Sequence, residues 1–408
     1  MTSIVSIVGV GEIGVQFVKT ITTYIHIPMI GEKKKSLKVL IIDSEVLIRQ
    51  ILVSIFREMR ENISPVPLNN TTPKFIKSAI KRIQPDVIFL GLEGDEKVEL
   101  DLVKSIRENH PDLPIVLMVP LSESGAEITI QALRLGAVEF ITKPDKKLGI
   151  MLSMRHFRKR VIPLAGILRD LNEECLASMK LSEFATAEVQ KVADQKTLQL
   201  SPNVELIVIA GCTGGVKELF QLVSGIPQEM PVPIVIVQHL PKIYTQKLAS
   251  DLDRITELNV REAQNESPLI PGQIYIAPGG YHTVVKSDGY RRVLNIHRGP
   301  RENKNRPSID VLLRSAAQSY KNKLLAVFLS GGGPDGIAGA KSVYEAGGKI
   351  ILQNRESALL WKINEKIDNQ VPSLIKSPPH VLHQEMLKQI LGERFVKNQR
   401  YRTEMQEP

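Results

Sequence analysis

Glu205-Leu-Ile-Val-Ile-Ala-Gly-Cys-Thr-Gly-Gly-Val216 is an apolar run that ends on a glycine, carries a thiol, and turns through two more glycines into helix-like sequence. A short apolar run bounded in this way reads as a strand buried on both faces, and such strands belong to parallel sheets covered by helices. Working outward, similar runs recur at Pro233-Ile-Val-Ile-Val-Gln-His239, Gln273-Ile-Tyr-Ile-Ala277, Leu324-Leu-Ala-Val-Phe-Leu329 and Lys349-Ile-Ile-Leu-Gln353. The stretch His282–Ile296 alternates around Ser-Asp-Gly at 287–289, which predicts a β-hairpin. Toward the N-terminus, apolar runs at Leu37–Asp43, Pro85–Gly91, Leu113–Val119 and Ala137–Pro144 are separated by helical patterns ending at Glu58 and covering Pro73–Ile83, Val98–Asn109 and Ala126–Leu135. Strand and helix alternating at this spacing predict α/β architecture. The expectation is a (βα)5 parallel sheet followed by a doubly wound, mostly parallel α/β domain that also carries a β-hairpin.

A chain of 408 residues has room for two domains and an arm. The reading divides it into an N-terminal arm (1–36), a first α/β domain (37–150), a helical extension and linker (151–203), a second α/β domain (204–390) and a tail (391–408). Helical pattern continues from Ile150 to about Lys180, and 180–203 is polar without an apolar block. No apolar run approaches the roughly 18 residues of a membrane span, so no membrane insertion is expected. Two cysteines exclude a disulfide framework and a cysteine-rich zinc module. Met1–Val10 lacks the basic flank and cleavage site of a signal peptide, and a cytoplasmic protein is expected. The net charge of +9 suits an anionic partner. The basic residues are scattered, however, and no aromatic-basic stacking pattern or helix-turn-helix is visible, so nucleic acid is not an expected partner.

Gly9-Val-Gly11-Glu-Ile-Gly14 has the local form of a dinucleotide fingerprint. The acid that should follow after about 20 residues is missing, since Asp43 lies 29 past Gly14. The segment is read as an added strand–helix arm and no cofactor is expected. A nicotinamide-linked oxidoreductase is the distant alternative. Val208–Val216 is the segment with chemistry. A thiol at a strand-to-helix elbow sits beside orphan amides and the positive end of the helix dipole, which lower its pKa, and the next amide can bind an oxyanion. His239 and Asp335 each lie just past an apolar strand, at the end where open α/β sheets place their sites. The plainer reading of Cys212 is a small buried residue in a degenerate elbow, and Cys175 reads as an inert thiol.

The block 37–144 resembles the response-regulator receiver through Leu-Ile-Ile-Asp-Ser (40–44), Leu113–Val119, Ala-Leu-Arg-Leu-Gly-Ala (132–137) and Phe-Ile-Thr-Lys-Pro (140–144). The resemblance implies an acidic pair for magnesium, a phosphoacceptor aspartate, a hydroxyl and a lysine. These positions carry Asp43 and Ser44, Gly91, Val119 and Lys143. Glycine has no oxygen to phosphorylate. Glu93 is displaced by two residues, roughly 6–7 Å along an ideal strand. Phosphoryl switching is therefore expected to be lost, leaving a docking scaffold with Asp43 and Lys143 as remnants.

Residues 204–376 resemble the catalytic domain of CheB methylesterases. The likeness rests on Gly211-Cys-Thr-Gly-Gly215, Gln238-His-Leu-Pro241, Pro271–Gly279 with His282, Arg306-Pro-Ser-Ile-Asp-Val311 and Leu329-Ser-Gly-Gly-Gly-Pro-Asp-Gly336. The resemblance assigns Cys212 the place of the family's nucleophilic serine, His239 that of the base and Asp335 that of the orienting acid. The amides of Thr213 and Gly332 match its oxyanion hole, and no metal or cofactor is implied. His282 matches a family histidine to which no chemistry is assigned. The sequence departs from the family at Cys212, at Gly332 where a methionine is expected, and at Lys362-Ile-Asn364 where Gly-Met-Pro is expected. Arg306 has two open readings, a partner for a substrate carboxylate or a brace for the sheet edge. His26, His110, His156, His297, His380 and His383 lack ligand spacing and read as loop or surface residues. The resemblance implies hydrolysis of glutamate methyl esters on methyl-accepting chemotaxis receptors, deamidation of glutamines there, and a histidine kinase as a second partner. The alternative is a pseudoenzyme that docks on receptors without turning over.

Overall fold

Runs that are apolar at every position become strands with both faces covered. The computed structural model describes residues 37–60, 62–67, 73–93, 96–144, 149–169, 204–287, 290–372 and 374–391. The Gly9–Gly14 motif, His26, Lys33–Lys35, Cys175, the linker 180–203 and residues 392–408 lie outside the described residues. In the first half, β1 (Lys38–Asp43), β2 (Asn62–Pro67), β3 (Val87–Gly91), β4 (Ile115–Val119) and β5 (Glu139–Thr142) form one sheet in the order β2-β1-β3-β4-β5. Every pairing in it is parallel. The intervening and following helices are α1 (Val46–Glu58), α2 (Pro73–Ile83), α3 (Glu96–Asn109), α4 (Glu123–Arg134) and α5 (Ile150–Arg169). Because side chains alternate along a strand, Leu40 and Ile42 join one buried cluster with Ile76 and Ile106, while Val39 and Ile41 join another with Leu52 and Phe56. Helix α4 starts on Ser122, whose hydroxyl accepts the Gly125 amide at 3.0 Å, an ordinary N-cap.

In the second half, β6 (Leu206–Gly211), β7 (Ile234–Gln238), β8 (Asn259–Glu262), β10 (Gln273–Ile276), β13 (Leu324–Phe328), β14 (Lys349–Gln353) and β15 (Ile375–Ser377) make a seven-stranded sheet in the order β15-β14-β13-β6-β7-β10-β8. Its pairings are all parallel. The expected hairpin is present as β11 (His282–Ser287) and β12 (Arg292–His297), but it stands apart from that sheet in a small antiparallel one with β9 (Ser267–Pro268). The helices are α6 (Gly215–Ser224), α7 (Lys242–Asp253), α8 (Ile309–Tyr320), α9 (Ile337–Glu345), α10 (Lys362–Asp368) and α11 (Pro379–Leu391). Strand β6 lies between β13 and β7, where the strand order reverses, and open α/β sheets bind ligands at that crevice.

The two sheets share a core. Ile130, Leu133 and Phe140 belong to the same buried cluster as Phe220, Tyr244 and Leu248. The Phe140 and Tyr244 rings lie 4.5 Å apart, the Arg134 guanidinium sits 5.2 Å from the Phe220 ring, and Lys247 pairs with Glu127 at 2.5 Å. Strands β2, β8, β9 and β15 were not expected from the sequence. Among the described residues, no helix is long and apolar enough to cross a membrane.

Candidate active site

Strand β6 ends at Gly211, Cys212 follows, and α6 begins three residues later. So tight a turn is set by Gly214, which caps α6 at φ +83°; a Cβ there would meet Leu359 and Ser330 at 2.9 Å. The Cys212 backbone is fixed on three sides. Its amide donates to Ser330 O (3.2 Å), and its carbonyl accepts from the Gly215 amide (3.0 Å) and Gln238 Nε2 (2.8 Å). His239 leaves the end of β7 with Nδ1 3.2 Å from the Cys212 sulfur and Nε2 2.7 Å from Asp335 Oδ2. Asp335 is buried and seated on the first turn of α8. Its oxygens accept the Ser308 hydroxyl (2.7 Å) and the amides of Ile309 (2.9 Å) and Asp310 (3.2 Å). Amides at a helix start are suited to an anion, so the carboxylate that steadies the imidazole is itself steadied by backbone.

These contacts set the charges. Burial alone would raise the Cys212 thiol. The charge of His239, its hydrogen bond and the Thr213 amide on the sulfur outweigh it and hold the thiol below its ordinary value. Burial would also neutralise His239, but the adjacent thiolate and the hydrogen bond to Asp335 push it up to about 10. Asp335 is driven upward by burial and downward more strongly by His239, Ser308 and the Ile309 amide, settling at about 2. The shifts all point the same way, toward thiolate, imidazolium and carboxylate and away from the neutral thiol–imidazole pair.

The first sheet reaches this site. The Thr213 hydroxyl, next to the nucleophile position, donates at 2.6 Å to Glu139 Oε2 on β5. Burial raises the Glu139 carboxyl, while hydrogen bonds from Thr213 and the Phe140 amide oppose that rise. The Thr213 amide rests on the sulfur, as noted. Gly332 is half-buried, and a Cβ on it would lie 3.3 Å from Ile167 Cδ1 of α5 and 3.4 Å from Leu360 Cδ1. The glycine at that position leaves the space that α5 fills.

At the receiver remnant, Lys143 Nζ lies 2.7 Å from Glu93, 3.1 Å from Asp43 and 3.5 Å from Glu45, and the Ser44 hydroxyl donates to Glu93 at 2.5 Å. Glu93 reaches the lysine although it lies two residues beyond Gly91, the last residue of β3. A Cβ on Gly91 would fall inside the Asp43 carboxylate, so the space of the missing side chain is taken. Burial raises the Asp43 carboxyl against the pull of Lys143. Burial would lower the lysine, and Asp43 with Glu93 raises it. Carboxylate oxygens of Asp43, Glu45 and Glu93 lie within 4.8 Å of one another. Lys143 Nζ stands among these oxygens, and position 91, where the resemblance expects a carboxylate, contributes none. Val119 ends β4, fully buried, with no hydroxyl to offer.

Arg306 donates from Nη1 to Gly299 O at 2.8 Å, which brings its head group onto the loop before α8. His282 is buried and bonded to Pro300 O at 2.8 Å, and its ring lies 5.5 Å from that of His297. His156 Nε2 binds Thr142 O at 2.8 Å. Sequence reasoning passed over Ser308, Asn303, Gln238 and Glu139. Ser308 was findable, being a capping serine directly before an apolar helix.

The chain matches the family model for CheB methylesterase over residues 207–383 and that for the response regulator receiver domain over residues 39–153. A protein-glutamate methylesterase/protein-glutamine glutaminase of Trichodesmium erythraeum is 32% identical over 336 residues, covering 81% of this chain and 93% of that protein. The protein of the same name from Thermotoga maritima is 30% identical over 331 residues, covering 81% and 92%. Among solved structures, the catalytic domain of Thermotoga maritima CheB methylesterase is similar at 32% identity with a TM-score of 0.44, covering 45% of this chain and 98% of that one.

Proposed function

Because this chain belongs to the CheB protein-glutamate methylesterase family, with a receiver ahead of the catalytic domain, we propose that it hydrolyses glutamate methyl esters on methyl-accepting chemotaxis receptors. Cys212 is the nucleophile, His239 the acid and base, and Asp335 the group that holds the imidazole. The thiolate adds to the ester carbonyl, and the oxyanion is received by the Thr213 and Gly332 amides. Collapse expels methoxide, which takes the Nδ1 proton of His239 and leaves as methanol. Nδ1, now a base, takes a proton from water as the water attacks the thioester. Glutamate is released, and thiolate and imidazolium return. A glutamine carboxamide follows the same course with ammonia as the leaving group. No step needs a cofactor.

The single observation supporting this reading is the unbroken set of contacts from sulfur through both imidazole nitrogens to a carboxylate seated on a helix start. Asp43 and Lys143 serve as structure in a receiver that no longer takes a phosphoryl group. A histidine kinase is a docking partner, and the site of action is cytoplasmic. The division at residues 37, 151, 204 and 391 is part of the same proposal. The docking-only alternative has no support from the relatives, whose names are those of enzymes.

The test is methanol release from methylated receptor by the parent, Cys212→Ala, Cys212→Ser and His239→Ala, each with and without acetyl phosphate. The parent is expected to be active, and Cys212→Ala and His239→Ala to lose ~10³-fold or more. Acetyl phosphate is expected to change nothing. A silent parent with intact receptor binding would overturn the esterase reading.

A further inference from the structure

The loop between β12 and α8 reads Arg298-Gly-Pro-Arg-Glu-Asn-Lys-Asn-Arg306, with four basic residues and one acid. The Glu302 carboxylate is held by Arg314 of α8 through two bonds of 2.6 Å, a bidentate pair that takes the loop's one acid. Arg298, Arg301 and Lys304 are exposed, and so is Lys242, three residues after His239. None of these four forms an ion pair among the described residues. The Lys242 ammonium and the Arg298 guanidinium lie 6.0 and 5.1 Å from the centre of the Tyr281 ring, so one aromatic ring gathers a charge from α7 and a charge from the loop.

This basic ridge is fastened to the reactive groups. Asn303 Nδ2 lies 2.8 Å from Asp310 Oδ2 and 3.5 Å from Asp335 Oδ1. His282 Nε2 and Arg306 Nη1 bond the carbonyls of Pro300 and Gly299, both at 2.8 Å, and the Gly280 amide donates to Arg306 O at 3.0 Å. Four uncompensated cations held beside a catalytic crevice attract anionic groups to it, within a reach of ~8 Å at physiological salt.

We infer that Lys242, Arg298, Arg301 and Lys304 form a docking rim for acidic side chains that flank the reacting glutamate in the substrate protein. The inference rests on the esterase reading for the identity of the reacting residue, not for the existence of the rim. Backbone and apolar contacts can hold any peptide, whereas this rim selects an acidic one.

Binding is measured by fluorescence anisotropy on the full chain carrying Cys212→Ala, which separates docking from turnover. The probes are a labelled glutamate-rich peptide with one central glutamine, its serine-for-glutamate neutral counterpart, and labelled duplex DNA. Relative to that protein, adding Lys242→Glu, Arg298→Glu and Arg301→Glu weakens acidic-peptide binding tenfold or more at low salt. The corresponding glutamine substitutions weaken it by an intermediate factor, and the difference falls within twofold at high salt. Equal affinity for acidic and neutral peptides before reversal overturns the rim. So does acidic-peptide binding unchanged by reversal, and so does loss confined to duplex DNA. Methanol release by the unaltered chain is scored separately. A chain that binds the acidic peptide through the rim but releases no methanol sinks the esterase and leaves the rim standing.

Discussion

The sulfur of Cys212 carries two opposed influences, burial against ionisation and the imidazolium for it, and the second prevails. The sign of the pH dependence follows. The thiol titrates below its ordinary value, so the thiolate persists as pH falls below that value. The imidazole, raised to about 10, keeps its proton until pH rises through that region. Iodoacetamide alkylation of Cys212 is therefore expected to stay fast at pH values where an ordinary thiol has already slowed. Methanol release is expected to fall as pH rises through about 10, when His239 can no longer supply the leaving-group proton. His239→Ala is expected to move the fall in alkylation rate to higher pH, because the charge and hydrogen bond that lower the thiol are removed. Thiolate absorbance followed across pH checks both. Which residues would meet was legible in the sequence, because each stands just past a buried strand. How the ring turns was not. The imidazole offers Nδ1 to the sulfur and Nε2 to Asp335, an orientation set by the backbone of α8, far along the chain from His239.

Elements were legible in proportion to their burial. The central strands β1, β3, β4, β6, β7, β10, β13 and β14 are apolar runs at or near the expected places. Strands β2, β8 and β15, which escaped the sequence reading, all lie at sheet edges. An edge strand needs fewer apolar residues and tolerates proline, as Asn62-Ile-Ser-Pro-Val-Pro67 shows. Strand β5 carries a second role that its sequence does not announce. Glu139 holds the Thr213 hydroxyl at the elbow, and Ile167 of α5 stands over Gly332. A buried hydrogen bond of this kind is worth about 1 kcal/mol, or roughly fivefold in an equilibrium. Glu139→Ala is expected to raise methyl-ester turnover several-fold by loosening the receiver from the elbow, with Glu139→Gln between it and the parent. Unchanged turnover in both would mean that this contact does not limit access.

Across the whole molecule, the two sheets are joined by a contiguous core and by Leu359 and Leu360, which pack with Phe157, Val161 and Leu164 of α5. Calorimetry of the intact chain is expected to show one cooperative transition, and Phe140→Ala to lower its midpoint while separating it into two. The interface was not readable beforehand, since its apolar residues sit in ordinary amphipathic segments that look alike whether they face their own sheet or another. The crowding at Gly91 has a consequence for any carboxylate placed there. An aspartate restored there would collide with Asp43, which is tied to Lys143 and to the Glu45 amide. The two carboxylates would compete for one space beside Lys143 and the Glu45 amide, so an aspartate at 91 is accommodated only if Asp43 gives up its present bonds.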